Sequence, residues 1–222
     1  MRYIFALLLG ALGMAALVSL GVWQLQLLEW KEAILNDVAQ RMTASPVVIP
    51  ALPTELDHEY LRVKALGRVA GPELHVLTSE KFVGPGFLVL RRFDMADGRS
   101  ILVDLGFVVE AEKTAARPEA EVAVTGNLLW PNEVDPLFTP DPNRDRNIWF
   151  ARDLPVMAEA LGTEPLLLVA SGISPDLGTR PVPVAANVPN DHLEYAITWF
   201  SLAAVWLAMT LYLIWRIRRR TA

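Results

Sequence analysis

The chain opens and closes with two stretches that a water-soluble fold does not tolerate. Tyr3–Val22 and Ala196–Trp215 contain no Asp, Glu, Lys or Arg. A helix rising 1.5 Å per residue crosses the hydrocarbon core of a bilayer, about 30 Å, in about 20 residues, the length of each run. Inside a soluble domain either helix would have to bury its whole circumference. Trp23 at the end of the first run, and Trp199 and Trp215 near the ends of the second, suit the aromatic belt at a membrane–water boundary. Ser19-Leu20-Gly21 behind Arg2 also allows a cleaved signal peptide. The run is long for a signal's apolar region, and the helical pattern continues past it without a turn residue, so retention is the expectation.

Charge gives the orientation. All 25 acidic residues lie between Trp23 and Tyr195, against 15 of the 20 basic ones. The other five are Arg2 before the first run and Arg216, Arg218, Arg219 and Arg220 after the second. The positive-inside rule then puts both termini in the cytoplasm and the acidic middle outside. No Arg-rich, Ser-rich transit segment precedes the first run, which points to a bacterial inner (plasma) membrane with a periplasmic central domain. An acidic middle excludes nucleic acid as a partner. The absence of cysteine excludes disulfides, thiolate metal sites, thioester chemistry and covalent CxxCH haem attachment.

After Val22, the residues Trp23, Leu27, Trp30, Ile34 and Val38 recur at helical spacing. The first helix is therefore expected to continue beyond the bilayer to about Gln40. This stripe either packs on the chain's own domain or docks a partner, with Trp23, Gln24, Leu27 and Trp30 as the candidate contact residues. Beyond Pro46 the pattern changes to strands, near 59–69, 73–78, 87–94, 100–109 and 121–130, separated by Gly- and Pro-containing turns. Asp97-Gly98 is a hairpin signal. Asp153, Pro155 and Gly162 bracket a short helix, LPVMAEAL, and 166–170 is a last apolar strand.

The expected architecture is a membrane α+β protein. Two transmembrane helices (1–22, with an amphipathic extension over 23–42, and 192–215) flank a β-rich, antiparallel extracytoplasmic domain (43–174) that is a sheet or a partly closed barrel. A Pro-rich tether (175–191) and a basic tail (216–222) complete it.

Chemistry-bearing constellations are scarce. His58, His75 and His192 are far apart, and no hydrolase, zinc-protease or phosphate-loop motif is present. His58 reads as a solvated loop residue and His75 as a half-exposed residue of a strand. Asp141, Asn143, Asp145 and Asp153 lack the spacing of a calcium loop and read as turn and cap residues. Asp191-His192-Leu193-Glu194 reads as a capping box that puts His192 in the first turn of the second span. Tyr195 and Trp199, three and seven residues on, share its face. Such a histidine is either an interfacial anchor or an axial ligand for the iron of a haem lying against the helix.

With those residues in view, the chain resembles the Surfeit locus protein 1 family of cytochrome c oxidase assembly factors. The resemblance is carried by GVWQLQLLEWKEAIL (21–35) and PNDHLEYAITWFSLA (189–203), and between them by FTPDPNRDRNIWFARDLPVMAEALG (138–162). GPGFLVLRRF and DGRSILVDLGFVV resemble the family's central strands. Two positions depart from its pattern. Asp104-Leu105-Gly106-Phe107 stands where Asn-Arg-Gly-Trp is usual, and Gln26 or Leu27 stands where an Arg follows the Trp-Gln pair. The resemblance implies a non-catalytic helper that binds haem a transiently through His192, beside Tyr195 and Trp199, and assists its insertion into oxidase subunit I, with haem a synthase as a further partner. A cofactor-free scaffold that stabilises oxidase subunits is the alternative.

Overall fold

The computed structural model describes residues 2–184 and 190–221. In chain order the elements are α1 (Arg2–Thr43), β1 (Val47–Val48), α2 (Glu55–His58), β2 (Arg62–Glu80), β3 (Gly84–Met95), β4 (Ser100–Val109), β5 (Ala120–Leu129), α3 (Leu154–Leu161), β6 (Leu167–Ser174) and α4 (His192–Thr221). They form two compact units, one made of Met1–Asp37 with Ala186–Ala222, the other of Val38–Ala185. The expected tether falls partly on 185–189, outside the described residues, as do the side chains of Arg2 and Arg220 used for the orientation.

The first unit is a helix pair. Both α1 and α4 are long and apolar enough to cross a membrane. α1 runs through the expected end of the first span without a break, and α4 continues through Arg216–Arg219. The pair is antiparallel and packs through small residues, as helices do where lipid-like surroundings remove the drive to bury large apolar groups. Gly10 faces Thr210, Gly13 faces the indole of Trp206 and Gly21 faces the ring of Phe200. The Trp206 Nε1–H donates to the Gly10 carbonyl at 3.1 Å. Ala6, Ala196 and Ala203 are buried along the same seam.

The second unit is a closed barrel. β2 is 19 residues long. Its first half pairs with β5 while most of its length pairs with β3, so the sheet β2-β3-β4-β6-β5 returns on itself. The sequence pattern predicts two strands divided at Gly71-Pro72. The structure instead joins them into one strand, with an irregular register between Ala70 and Leu74. Pro72 cannot donate to a ladder and Gly71 takes a φ of 71°, so the dipeptide makes a bulge in place of a turn. The sheet is also mixed, which corrects the antiparallel expectation: β1 lies parallel to β2, and β6 parallel to β4.

The barrel interior is filled by Val63, Val69, Val89, Phe93, Ile101, Val103, Leu105, Val122, Val124 and Leu168. β4 is buried on both faces, which explains its unbroken apolar run SILVDLGFVV. Its outer face, with Leu90, Leu167 and Val169, is covered by Leu154, Met157, Ala158 and Leu161 of α3, a spacing of three, four and seven. Asp153 caps that helix by accepting from Val156 N–H, and Gly162 ends it at φ 65°.

Candidate functional site

His192 is the first residue of α4, and the Asp191 carbonyl accepts the Tyr195 N–H at 3.1 Å to start the helix. The imidazole does not stand alone. Its Nδ1 lies 2.8 Å from Oε1 of Gln24 on α1. An amide oxygen only accepts, so the contact suits a ring whose Nδ1 carries a proton and donates it to Gln24. Among the described residues Nε2 has no partner. Gly21, one turn before Gln24, lets α1 come up against Phe200 with nothing larger than hydrogen between them, which brings the amide within reach.

The other expected site residues divide. Trp199 is half-buried and shares the helix face of His192, while Tyr195 on the same face is 56% exposed. Along α1, Trp23 and Trp30 are 50% and 63% exposed, and Ile34 is exposed with them; Leu27 and Gln24 are half-buried. The outward apolar face therefore holds the two indoles. Gln24 turns from it toward His192.

The other two histidines have different surroundings. His58 lies in α2, where its Nδ1 accepts the Thr54 backbone N–H at 3.1 Å. His75, expected to be half-exposed, is only 7% exposed. Its Nε2 bonds Glu73 Oε2 at 2.9 Å and its Nδ1 meets the Asn147 amide at 3.1 Å, so both nitrogens are taken. The same Glu73 oxygen receives Arg117 at 3.1 Å. Nearby, buried Arg91 donates to the carbonyls of Arg117 and Gly71. Burial alone would raise the Glu73 carboxyl, but the His75 hydrogen bond and the Arg117 charge outweigh it and hold the group below the usual carboxylate range. The alternation of residues along β2 cannot foresee this, because the covering groups come from the 112–118 and 147 loops.

Asp104 is a second buried ion pair. It is 2% exposed on the outer face of β4, and its Oδ1 accepts the Gly106 N–H at 2.9 Å, where the β3–β4 register is irregular between the Leu90–Asp104 and Leu88–Phe107 pairs. Its Oδ2 lies 3.3 Å from Arg152, whose guanidinium also binds Glu133. Burial, only partly offset by the Arg152 charge and the Gly106 N–H, pushes the Asp104 carboxyl up to about 6. These groups line a cavity of about 480 Å³ with Tyr60, Trp130 and Val169. A lone carboxylate in an otherwise apolar strand is the sequence signal that marks it.

Asp153 and Asn143 serve caps and turns as expected; Asn143 Oδ1 accepts the Arg146 N–H. Among the described residues no group of three His, Cys, Asp or Glu side chains is arranged to hold a metal ion.

Comparison with known proteins covers both units. The sequence model of the SURF1 family matches residues 11–204. A SURF1-like protein of Monosiga brevicollis is 32% identical over 88% of this chain and 82% of its own length. A SURF1-like protein of Drosophila melanogaster is 33% identical over 86% and 71%. Surfeit locus protein 1 of Homo sapiens is 31% identical over 84% and 70%.

Proposed function

Because the chain belongs to the SURF1 family, we propose that it is a membrane-anchored assembly factor, not an enzyme, for a haem-copper cytochrome c oxidase, holding haem a at the outer membrane surface for insertion into subunit I. The observation that carries this reading is His192, set at the first turn of an apolar helix with Nδ1 held by Gln24 and Nε2 open. A neutral imidazole nitrogen with a free lone pair is an ordinary axial ligand for haem iron, so the donor fits the group. When bound, haem a supplies the redox iron of the oxidase; the residues of this chain only hold it. Trp199 and Tyr195 offer apolar ring surface on the same helix face. Haem a is too apolar to travel through water unescorted, and a site at the end of a spanning helix keeps its body in lipid.

Membrane anchoring is supported by the length and hydropathy of α1 and α4. The basic residues in the last turns of α4 support cytoplasmic termini and, with them, a barrel outside, in the periplasm of a bacterium. The exposed Trp23 and Trp30 offer a face to subunit I or to haem a synthase. The test is spectroscopic. Protein purified in detergent from cells that make haem a is expected to carry a Soret band whose extracted pigment is haem a, and His192→Ala is expected to lose it. A band that survives the substitution overturns the ligand assignment. Pigment-free protein that still co-purifies with subunit I replaces the carrier with a scaffold.

A further inference from the structure

The geometry points to Gln24 as the positioning residue that selects the tautomer and aim of His192, an inference that deepens the haem reading and rests on it only for its consequence in binding. A histidine side chain in water favours the tautomer protonated at Nε2, the nitrogen farther from the backbone. That tautomer would turn its lone pair inward and offer iron only an N–H. The Gln24 Oε1, 2.8 Å from Nδ1, reverses the preference by giving the Nδ1 proton an acceptor. Rotation about the Cβ–ring bond is restricted by the same contact.

Amide chemistry suits the place. At the edge of the hydrocarbon region a carboxylate would add a buried charge, whereas a neutral amide oxygen costs little to keep there. Length also matters. Gln24 reaches His192 because Gly21 brings the helices together one turn away, and a substituent there would press on the Phe200 ring. The two residues are 168 apart in sequence, so only the helix pairing joins them.

The effect is read in two independent ways on the full-length protein in detergent. In pigment-free protein labelled with 15N-histidine, His192 is expected to show a protonated Nδ1 and an unprotonated Nε2. Gln24→Leu, which keeps bulk but removes the acceptor, is expected to return His192 to mainly the Nε2–H form. Gln24→Glu restores an acceptor and is expected to restore the Nδ1–H form. Titration with haem a is expected to show about 10- to 100-fold weaker binding in Gln24→Leu than in wild type, with Gln24→Glu recovering most of it. An Nε2–H tautomer in the wild type, or an unchanged tautomer in Gln24→Leu, overturns the inference even if haem binds through His192. A tautomer that switches as expected in a protein that binds no haem upholds the positioning role and overturns the carrier reading instead. Should Gln24→Leu fail to fold, Gln24→Glu against Gln24→Met gives the same comparison with side chains of equal length.

Discussion

Glycine does opposite work in the two units. In the barrel, Gly126 sits where an added Cβ would lie 2.0 Å from the Val169 carbonyl oxygen, and at Gly67 it would lie 2.3 Å from that of Asp94. These are backbone atoms held by strand pairing, and they cannot move aside singly. In the helix pair, the Cβ of an alanine at Gly10, Gly13 or Gly21 would meet side chains, those of Thr210, Trp206 and Phe200. Histidine divides the same way. His75 in the barrel has both nitrogens engaged by protein groups, whereas His192 in the helix pair has one held and one open. His75 is closed off by the protein's own groups. In the helix pair, Nε2 of His192 has no partner among the described residues.

The largest effect is expected where backbone meets backbone. Gly126→Ala should cost the barrel about 3 kcal/mol or more, because neither β5 nor β6 can yield without losing ladder bonds. Denaturant unfolding of the full-length protein in detergent measures it, and an unchanged midpoint would break the contrast between the units.

Next is Asp104→Asn, expected to stabilise the barrel by about 2–3 kcal/mol at neutral pH, since each unit of pKa shift corresponds to about 1.4 kcal/mol. The folded carboxyl titrates near 6, above its ordinary 3.8, so the folded state holds the proton more tightly than the unfolded one. That advantage is complete below about 4 and disappears as pH rises through about 6. The amide can still accept from Gly106, and Arg152 keeps Glu133. Stability followed from pH 4 to 7 should fall in the wild type and flatten in the variant; parallel curves would show that Arg152 neutralises the ion fully.

The smallest effect belongs to the helix pair. Gly13→Ala forces the Trp206 ring to shift, but alanine recovers about 1 kcal/mol of helix propensity. A net change within about 1 kcal/mol is expected in thermal unfolding in detergent. A loss as large as that of Gly126→Ala would mean that the helix seam is as rigid as the barrel.

Much of the architecture is legible from residue order. Strands 100–109 and 121–130 fall close to β4 and β5, and the Asp153, Pro155 and Gly162 signals bracket α3. Gly71-Pro72 misleads because a bulge and a turn use the same dipeptide chemistry, and only the uninterrupted β3 partner separates them. The parallel β4–β6 pairing is invisible for another reason: strand direction depends on the path of the intervening 110–166 segment, not on the strands' own residues. In the candidate site, the place of His192 at a helix start is legible from Asp191 to Glu194. Its partner is not, since Gln24 stands beside Trp23 on a helix whose facing neighbour no local pattern specifies.

The sequence by itself determined which segments prefer lipid-like surroundings and which prefer water, because that preference is a property of side chains summed over short windows. It also determined where strands and caps begin, since these follow from backbone sterics within a few residues. Tertiary structure alone decided that the sheet closes, that His75 and Asp104 are enclosed, and which nitrogen of His192 is left open. Those outcomes rest on contacts between residues distant along the chain, where geometry in three dimensions, not local composition, sets the energy.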